Sequence, residues 1–345
     1  MSMLERFTRS LYRKEVDKVP VCSVTQTGTM ELMEMTGTSW PKAFTDPKSM
    51  ATLAMAGYEI AGFEGVRYPF TSPEIPQAFG CAYSDGTKHS PPHQTDFPCK
   101  TPEAVDDIVI PDNFYESPGI QSMIQTTDIL RKQMDDKGYE LPLIAGILGP
   151  ASLASCIVGV NNYLMWCIKE PEALQKLINL GGEICAEYAN VLYDHGADSV
   201  IIIDSESGPD LLPPPLFETM ILPVYKKMTN TMKGPNLLHM CGDATPILEP
   251  IANSGFLGVS LEEKVDMAYA SRVAGNEICL IGNVSAADDL LLHSPSFVKK
   301  SAKRCIEDGV RILAPGCGVA PYTPLVNLKA FVAARDEYYM EKGLL

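Results

Sequence analysis

Ser199-Val200-Ile201-Ile202-Ile203-Asp204 is a run of four β-branched residues that ends on an acid. A strand with one wet face alternates apolar and polar residues. A strand without that alternation is covered on both faces, as in a parallel sheet under helices. Working outward, similar short apolar runs recur at residues 141–148 upstream and 236–241, 258–262, 278–283 and 311–315 downstream. Residues 19–24 and 65–70 add two more near the start. Between them lie amphipathic stretches. Residues 171–195 carry Leu174, Leu177, Ile178, Ile184, Tyr188, Val191 and Leu192 near a 3.6 period, and Gly196 is placed to end that helix. Further helix starts are marked by Asp46-Pro47, Thr101-Pro102, Thr245-Pro246, Ser294-Pro295 and Thr323-Pro324, because proline at the first helical position wastes no hydrogen bond. This alternation predicts βαβ units. Eight strands predict an α/β fold closed as a (β/α)8 TIM barrel. Residues 71–139, with Ser72-Pro73 and Pro91-Pro92, fit the alternation poorly and are expected to form an irregular insertion. No linker or internal repeat interrupts the chain, so residues 1–345 are expected to form a single domain.

Composition agrees. The chain has 345 residues, 46% hydrophobic and 21% charged, which excludes a disordered chain. A barrel with an insertion uses the whole length, since such barrels take about 250 residues and tolerate additions. The net charge of −15 would repel phosphate backbones, which argues against nucleic-acid binding. Residues 1–18 are mixed polar and charged with no apolar signal core, so a cytoplasmic location with reduced thiols is expected. Residues 141–168 carry no charge and are long enough to span a bilayer. Pro142, Gly146, Gly149, Pro150 and Gly159 break them up, so they read as a strand followed by a loop entering a helix, not as a membrane span.

Ten cysteines are scattered without disulfide-framework spacing. Two stand out. In Leu238-His239-Met240-Cys241-Gly242, the imidazole and thiol lie at i and i+2 of a strand, so both point to one face. In Ala314-Pro315-Gly316-Cys317-Gly318, a cysteine flanked by glycines follows a strand. Glu263 follows a third strand. The C-terminal ends of barrel strands converge on one mouth, so His239, Cys241, Cys317 and Glu263 are expected to meet there as metal ligands. Thiolates and imidazole suit one Zn²⁺ per chain and disfavour Mg²⁺ and Ca²⁺. Two thiolates, one carboxylate and a neutral imidazole leave a zinc complex at about −1, a weak Lewis acid. Such a centre would still bind and deprotonate an incoming thiol. A substrate thiolate replacing Glu263 would keep the charge and stay nucleophilic. The other eight cysteines are expected in the core.

At these residues the chain resembles the methylcobamide:coenzyme M methyltransferases, within the uroporphyrinogen decarboxylase superfamily. The resemblance runs through Lys18-Val19-Pro20-Val21-Cys22-Ser23-Val24-Thr25-Gln26-Thr27-Gly28 and His239-Met240-Cys241-Gly242-Asp243-Ala244-Thr245-Pro246. It continues in Val259-Ser260-Leu261-Glu262-Glu263-Lys264-Val265-Asp266 and Pro315-Gly316-Cys317-Gly318-Val319. It implies zinc on His239, Cys241 and Cys317. It further implies methyl transfer from a methylated corrinoid protein to the thiol of coenzyme M, in methylotrophic methanogenesis. The site is also similar to that of the zinc methionine synthases, where a glutamate stands 22 residues after the cysteine. That position is Glu263 here, which implies a fourth ligand displaced by the substrate thiol; Glu262 takes the place if the register slips by one. No Asp-x-His-x-x-Gly motif is present, which agrees with a corrinoid carried by a partner protein. The first strand loop, Thr25-Gln26-Thr27-Gly28, lacks the arginines of the decarboxylase branch, which disfavours a porphyrinogen substrate.

Gln26, Asp204 and Asn283 end strands and are candidates for substrate contact, although such residues also cap helices. No arginine falls inside a motif, so the partner of the coenzyme M sulfonate is unassigned; Arg272 and Arg311 are candidates, with a structural role the favoured reading. The alternative reading keeps the architecture but uses another acceptor, tetrahydrofolate or homocysteine.

Overall fold

The computed structural model describes residues 1–344. The first strand is β1 (Val66–Tyr68), followed by a short antiparallel hairpin of β2 (Ala82–Tyr83) and β3 (Gln94–Asp96). Then come β4 (Leu143–Leu148), β5 (Ser199–Ile203), β6 (Asn236–Met240), β7 (Gly258–Leu261), β8 (Cys279–Val284) and β9 (Ile312–Pro315). All but the hairpin form one parallel sheet in the order β1-β4-β5-β6-β7-β8-β9. Both faces are buried, as the β-branched runs require. Ile144, Ile201, Leu237, Cys279, Ile281 and Ile312 fill the interior, and Phe7 and Leu11 of the helix Met3–Leu11 join that cluster. Val200, Ile202, Leu238 and Leu280 point the other way, into the core under the helices.

The eighth place in the ring is held differently from expectation. Residues 19–24 do not form a ladder but a single parallel bridge, Val21 to Leu313. Leu313 N–H donates to Pro20 O (2.9 Å) and Cys22 N–H to Leu313 O (3.1 Å). On the other flank, Glu64 N–H donates to Val21 O (2.7 Å). Pro20 has no N–H, which limits the pairing to this bridge. The sheet is closed all the same, and the fold is a (β/α)8 barrel.

The region of residues 71–139 is irregular only in its first part. A 20-residue helix, Pro118–Lys137, occupies the rest and serves as the crossover from β1 to β4. It carries the Ser-Pro start and a left-handed glycine at its end, Gly138 with φ 65°. Its apolar stripe is diluted by Thr126 and Thr127, buried hydroxyls that bond back to Ser122 O and Met123 O, so its periodicity is faint in the sequence. The uncharged stretch after β4 forms two helices, Pro150–Val158 and Val160–Lys169, bent by 106° at Gly159. Gly159 has φ 79°, and a Cβ there would lie 2.6 Å from the Phe97 ring. Among the described residues no single helix is long and apolar enough to cross a membrane.

Opposite the mouth, a buried ion cluster ties both chain ends to the closing segment. The Glu64 side chain is only 6% exposed. It accepts from Arg335 of the helix Leu325–Glu341 (2.8 and 3.0 Å) and from Arg6 (3.2 Å). Its second oxygen also takes the N–H of Val21 (3.3 Å), and Arg335 donates to Val19 O (2.8 Å). Removing one member of a buried ion set leaves the others uncompensated. Glu64→Gln is therefore expected to lower unfolding free energy by about 3–5 kcal/mol in urea titration. Arg6 also grips Asp17 through two 2.8 Å bonds, and that hydrogen bonding holds the Asp17 carboxyl down to about 2. A depressed carboxyl contributes stability above its unfolded pKa and loses it as pH falls towards 2. The stability gap between wild type and Asp17→Asn is expected to be flat above about pH 5 and to close between about pH 4 and 2.

Candidate metal centre

Strand parity builds the site. Leu237, His239 and Cys241 share the inward face of β6, with Leu237 in the barrel interior and Cys241 just past the strand end. Cys317 follows β9 on the far side of the mouth. The His239 Nε2, Cys241 Sγ and Cys317 Sγ atoms lie within 4.8 Å of one another. Nε2 is 3.4 Å from Cys241 Sγ and 3.7 Å from Cys317 Sγ, and the sulfurs are 4.0 Å apart.

Neighbouring hydroxyls orient these groups. His239 is 2% exposed, and its Nδ1 lies 3.0 Å from Ser260 Oγ on β7. The tautomer with its proton on Nδ1 donates to that hydroxyl and turns the Nε2 lone pair towards the sulfurs. Ser205 Oγ donates to Cys241 Sγ (3.1 Å), and Thr25 Oγ1 to Cys317 O (2.9 Å). The glycines around Cys317 are required by space. A Cβ at Gly316 would lie 3.0 Å from a Glu263 oxygen, and one at Gly318 would lie 3.1 Å from the Gln26 side chain.

The Cys241 and Cys317 thiols are coupled through the contact between their sulfurs, which pushes one up, Cys241 to about 12, and holds the other, Cys317, below its usual range. The donor set of one imidazole and two sulfurs fits a soft dication such as zinc.

The carboxylates stand apart from this cluster. Glu263 is exposed and accepts from Ser285 Oγ (3.0 Å). Glu262 turns towards the Cys241 loop and accepts from Gly242 N–H (2.9 Å). Gln26 lines the mouth and braces its own loop, accepting from Gly28 N–H (2.8 Å) and donating to Val319 O. Asp204 is fully buried and caps the helix Pro150–Val158, accepting from Ser152 N–H (2.7 Å) and from the Tyr225 hydroxyl (2.6 Å). Burial pushes its carboxyl up to about 6. The next residue, Ser205, is the one that touches the centre. Asn283 donates to Glu262 O (3.0 Å) and Val265 O (2.8 Å), so it shapes the loop that carries both glutamates.

A cavity of about 310 Å³ opens beside the three donors. Two of its lining residues escaped the sequence analysis. Cys156 is half-buried and faces the cavity, with the Tyr83 hydroxyl donating to its sulfur (3.4 Å). Seven cysteines are thus core, not eight. Arg67 lies on β1, and a charged residue amid Val66 and Tyr68 in a buried strand was the signal available for it.

Comparison with known proteins follows the same lines. A family model described as uroporphyrinogen decarboxylase (URO-D) matches residues 3–338. The chain is 39% identical over 335 residues to the methylcobamide:CoM methyltransferase MtaA of Methanosarcina barkeri, covering 97% of each chain. It is 32% identical over 337 residues to the methylcobamide:CoM methyltransferase MtbA of Methanosarcina acetivorans, again 97% of each. A solved methyltransferase from Methanosarcina mazei superposes with a TM-score of 0.94 at 37% identity, covering 98% of this chain and all of that one.

The hydroxyl behind His239 offers a test of the centre. Ser260→Ala is expected to weaken zinc binding by about 10–100-fold in chelator competition, because the imidazole loses the group that fixes its orientation. Unchanged affinity would show that Ser260 does not orient the ligand.

Proposed function

Because the chain belongs to the uroporphyrinogen decarboxylase family, among its methylcobamide:coenzyme M methyltransferases, we propose that it moves a methyl group from a methylated corrinoid protein to the thiol of coenzyme M. The protein is a methyltransferase. We place the step in methanogenesis from methylated compounds, with the corrinoid brought by a partner. The observation that carries the reading is the convergence of His239, Cys241 and Cys317 on one point beside a cavity of small-molecule size.

His239, Cys241 and Cys317 would hold zinc. When bound, the metal would supply the positive charge that keeps a substrate thiol deprotonated at neutral pH. The chain's own residues set the conditions. Ser260 keeps the imidazole facing the sulfurs. Two thiolates supply electron density, so a sulfur held beside them stays nucleophilic. Phe70, Leu148 and Ile203 give the cavity apolar walls that keep water from competing. In the reaction a C–S bond forms and the Co–C bond breaks. Both electrons of that bond stay on cobalt, which goes from Co(III) to Co(I), and the thiol proton passes to solvent. Glu263, braced by Ser285, is the proposed exchangeable ligand; Glu262 is the alternative on the same loop.

Free methylcobalamin replaces the partner in the decisive assay. The purified protein is expected to methylate coenzyme M, to lose that activity to a chelator and to regain it with zinc. Cys241→Ala is expected to lose both stoichiometric zinc and transfer. Full activity in that variant would sink the zinc reading, and preferential methylation of tetrahydrofolate or homocysteine would replace the acceptor.

A further inference from the structure

Arg67 has no part in the chemistry above, yet it lines the same cavity as His239, Cys241 and Cys317. It is 4% exposed. A guanidinium this deep ordinarily lies against a carboxylate. Arg67 makes no ion pair within 4.0 Å among the described residues. Its Nε donates to Val24 O (3.2 Å) and its Nη1 to Pro69 O, while Nη2 has no acceptor in the protein among those residues. The fold makes room for this arrangement. A Cβ at Gly146 on β4 would lie 2.2 Å from Nη2. The buried carboxyl that acts on it, Glu74, forms no ion pair with it within 4.0 Å; burial pushes that carboxyl up to about 8, and its Oε1 has no hydrogen-bond partner. The rest of the cavity lining holds no Lys, Asp or Glu.

We propose that Arg67 is the anchor for the anionic tail of the thiol substrate, holding a sulfonate while the sulfur meets the His239–Cys241–Cys317 centre. This rests on the methyl-transfer reading and names the residue that selects the substrate. The planar guanidinium presents parallel N–H donors to the oxygens of a tetrahedral oxyanion. Two backbone carbonyls hold the group in place before substrate arrives, so little side-chain freedom is lost on binding. A chain of net charge −15 repels small anions at long range, and one unpaired cation in a low-dielectric cavity reverses that locally. A neutral thiol of the same length gains nothing from it.

The test compares two thiols. Metal-loaded wild type and Arg67→Gln are given methylcobalamin with either coenzyme M or 2-mercaptoethanol, which has a hydroxyl in place of the sulfonate. Wild type is expected to favour coenzyme M in kcat/KM by about a hundredfold. In Arg67→Gln that preference is expected to collapse towards unity, mainly through KM. Gly146→Ala, which keeps the charge but displaces the guanidinium, is expected to reduce it as well. If the Gln variant does not fold, Arg67→Lys carries the comparison, with an intermediate preference expected from a charge without the fork. Ethanesulfonate binding by calorimetry gives a readout independent of turnover and is expected to weaken at least about tenfold in Arg67→Gln. Equal losses on both thiols, or undiminished ethanesulfonate binding, overturn the proposal. If wild type methylates neither thiol while ethanesulfonate binding still depends on Arg67, the methyl-transfer reading falls and the anion site stands.

Discussion

Closure of the sheet is the constraint on which the rest depends. His239 and Cys241 stand on β6 and Cys317 follows β9, with β7 and β8 between them in the ring. In a flat sheet their side chains would be about 14 Å apart, at a spacing of about 4.8 Å per strand. Only a sheet curled onto itself brings them within 4.8 Å. The curl is sealed by one bridge, Val21 to Leu313, and that bridge is weak as pairing. Glu64 compensates for it. It takes the N–H of Val21 and the guanidinium groups of Arg6 and Arg335, so helices from both ends of the chain brace the closing segment. The metal donors at one end of the barrel and the ion cluster at the other are parts of one mechanical arrangement.

The ring also crowds soft donors together. Thiolates this close repel once both ionise, and a dication between them removes that repulsion. The Cys241 and Cys317 sulfurs lie 4.0 Å apart, Ser205 donates to Cys241, and a His239 ring nitrogen faces both sulfurs. The carboxylates of Glu262 and Glu263 are held by Gly242 and Ser285 instead, on a loop that Asn283 ties down through two backbone carbonyls. As a proposed exchangeable ligand, a carboxylate on this braced loop would leave His239, Cys241 and Cys317 undisturbed.

Much of this was legible in the sequence where one residue type has one physical reason. Val200 to Ile203 permit only a strand covered on both faces, and the His-x-Cys spacing permits only a shared face. The glycines beside Cys317 mark a turn in the sequence; that Glu263 and Gln26 crowd them is visible only in the structure. What was hidden had two causes. Residues 19–24 look like a strand because Val19, Val21 and Val24 are apolar, but Pro20 deprives the ladder of a donor. The helix Pro118–Lys137 was lost because Thr126 and Thr127 satisfy their hydroxyls on the helix backbone and so are buried as if apolar. Asp204 resembles a mouth residue in sequence, and only the three-dimensional position of the next helix shows that it caps Pro150–Val158.

The position of positive charge bears on the substrate, because fold alone does not choose one. The first strand loop, where arginines would hold a large polycarboxylate, here carries Thr25, Gln26 and Thr27. Gln26 folds back on Gly28 and Val319. Among the described residues that line the cavity of about 310 Å³, the one Lys or Arg sits a strand further on, at the buried Arg67. Moving the charge from rim to interior changes what can reach it. A macrocycle with several carboxylates needs charges spread around a wide opening. A two-carbon thiol with a single anionic end needs one charge, placed beside the sulfur-rich centre. The same ring of strands serves either case, and Gly146 and the carbonyls of Val24 and Pro69 are the small local features that decide which.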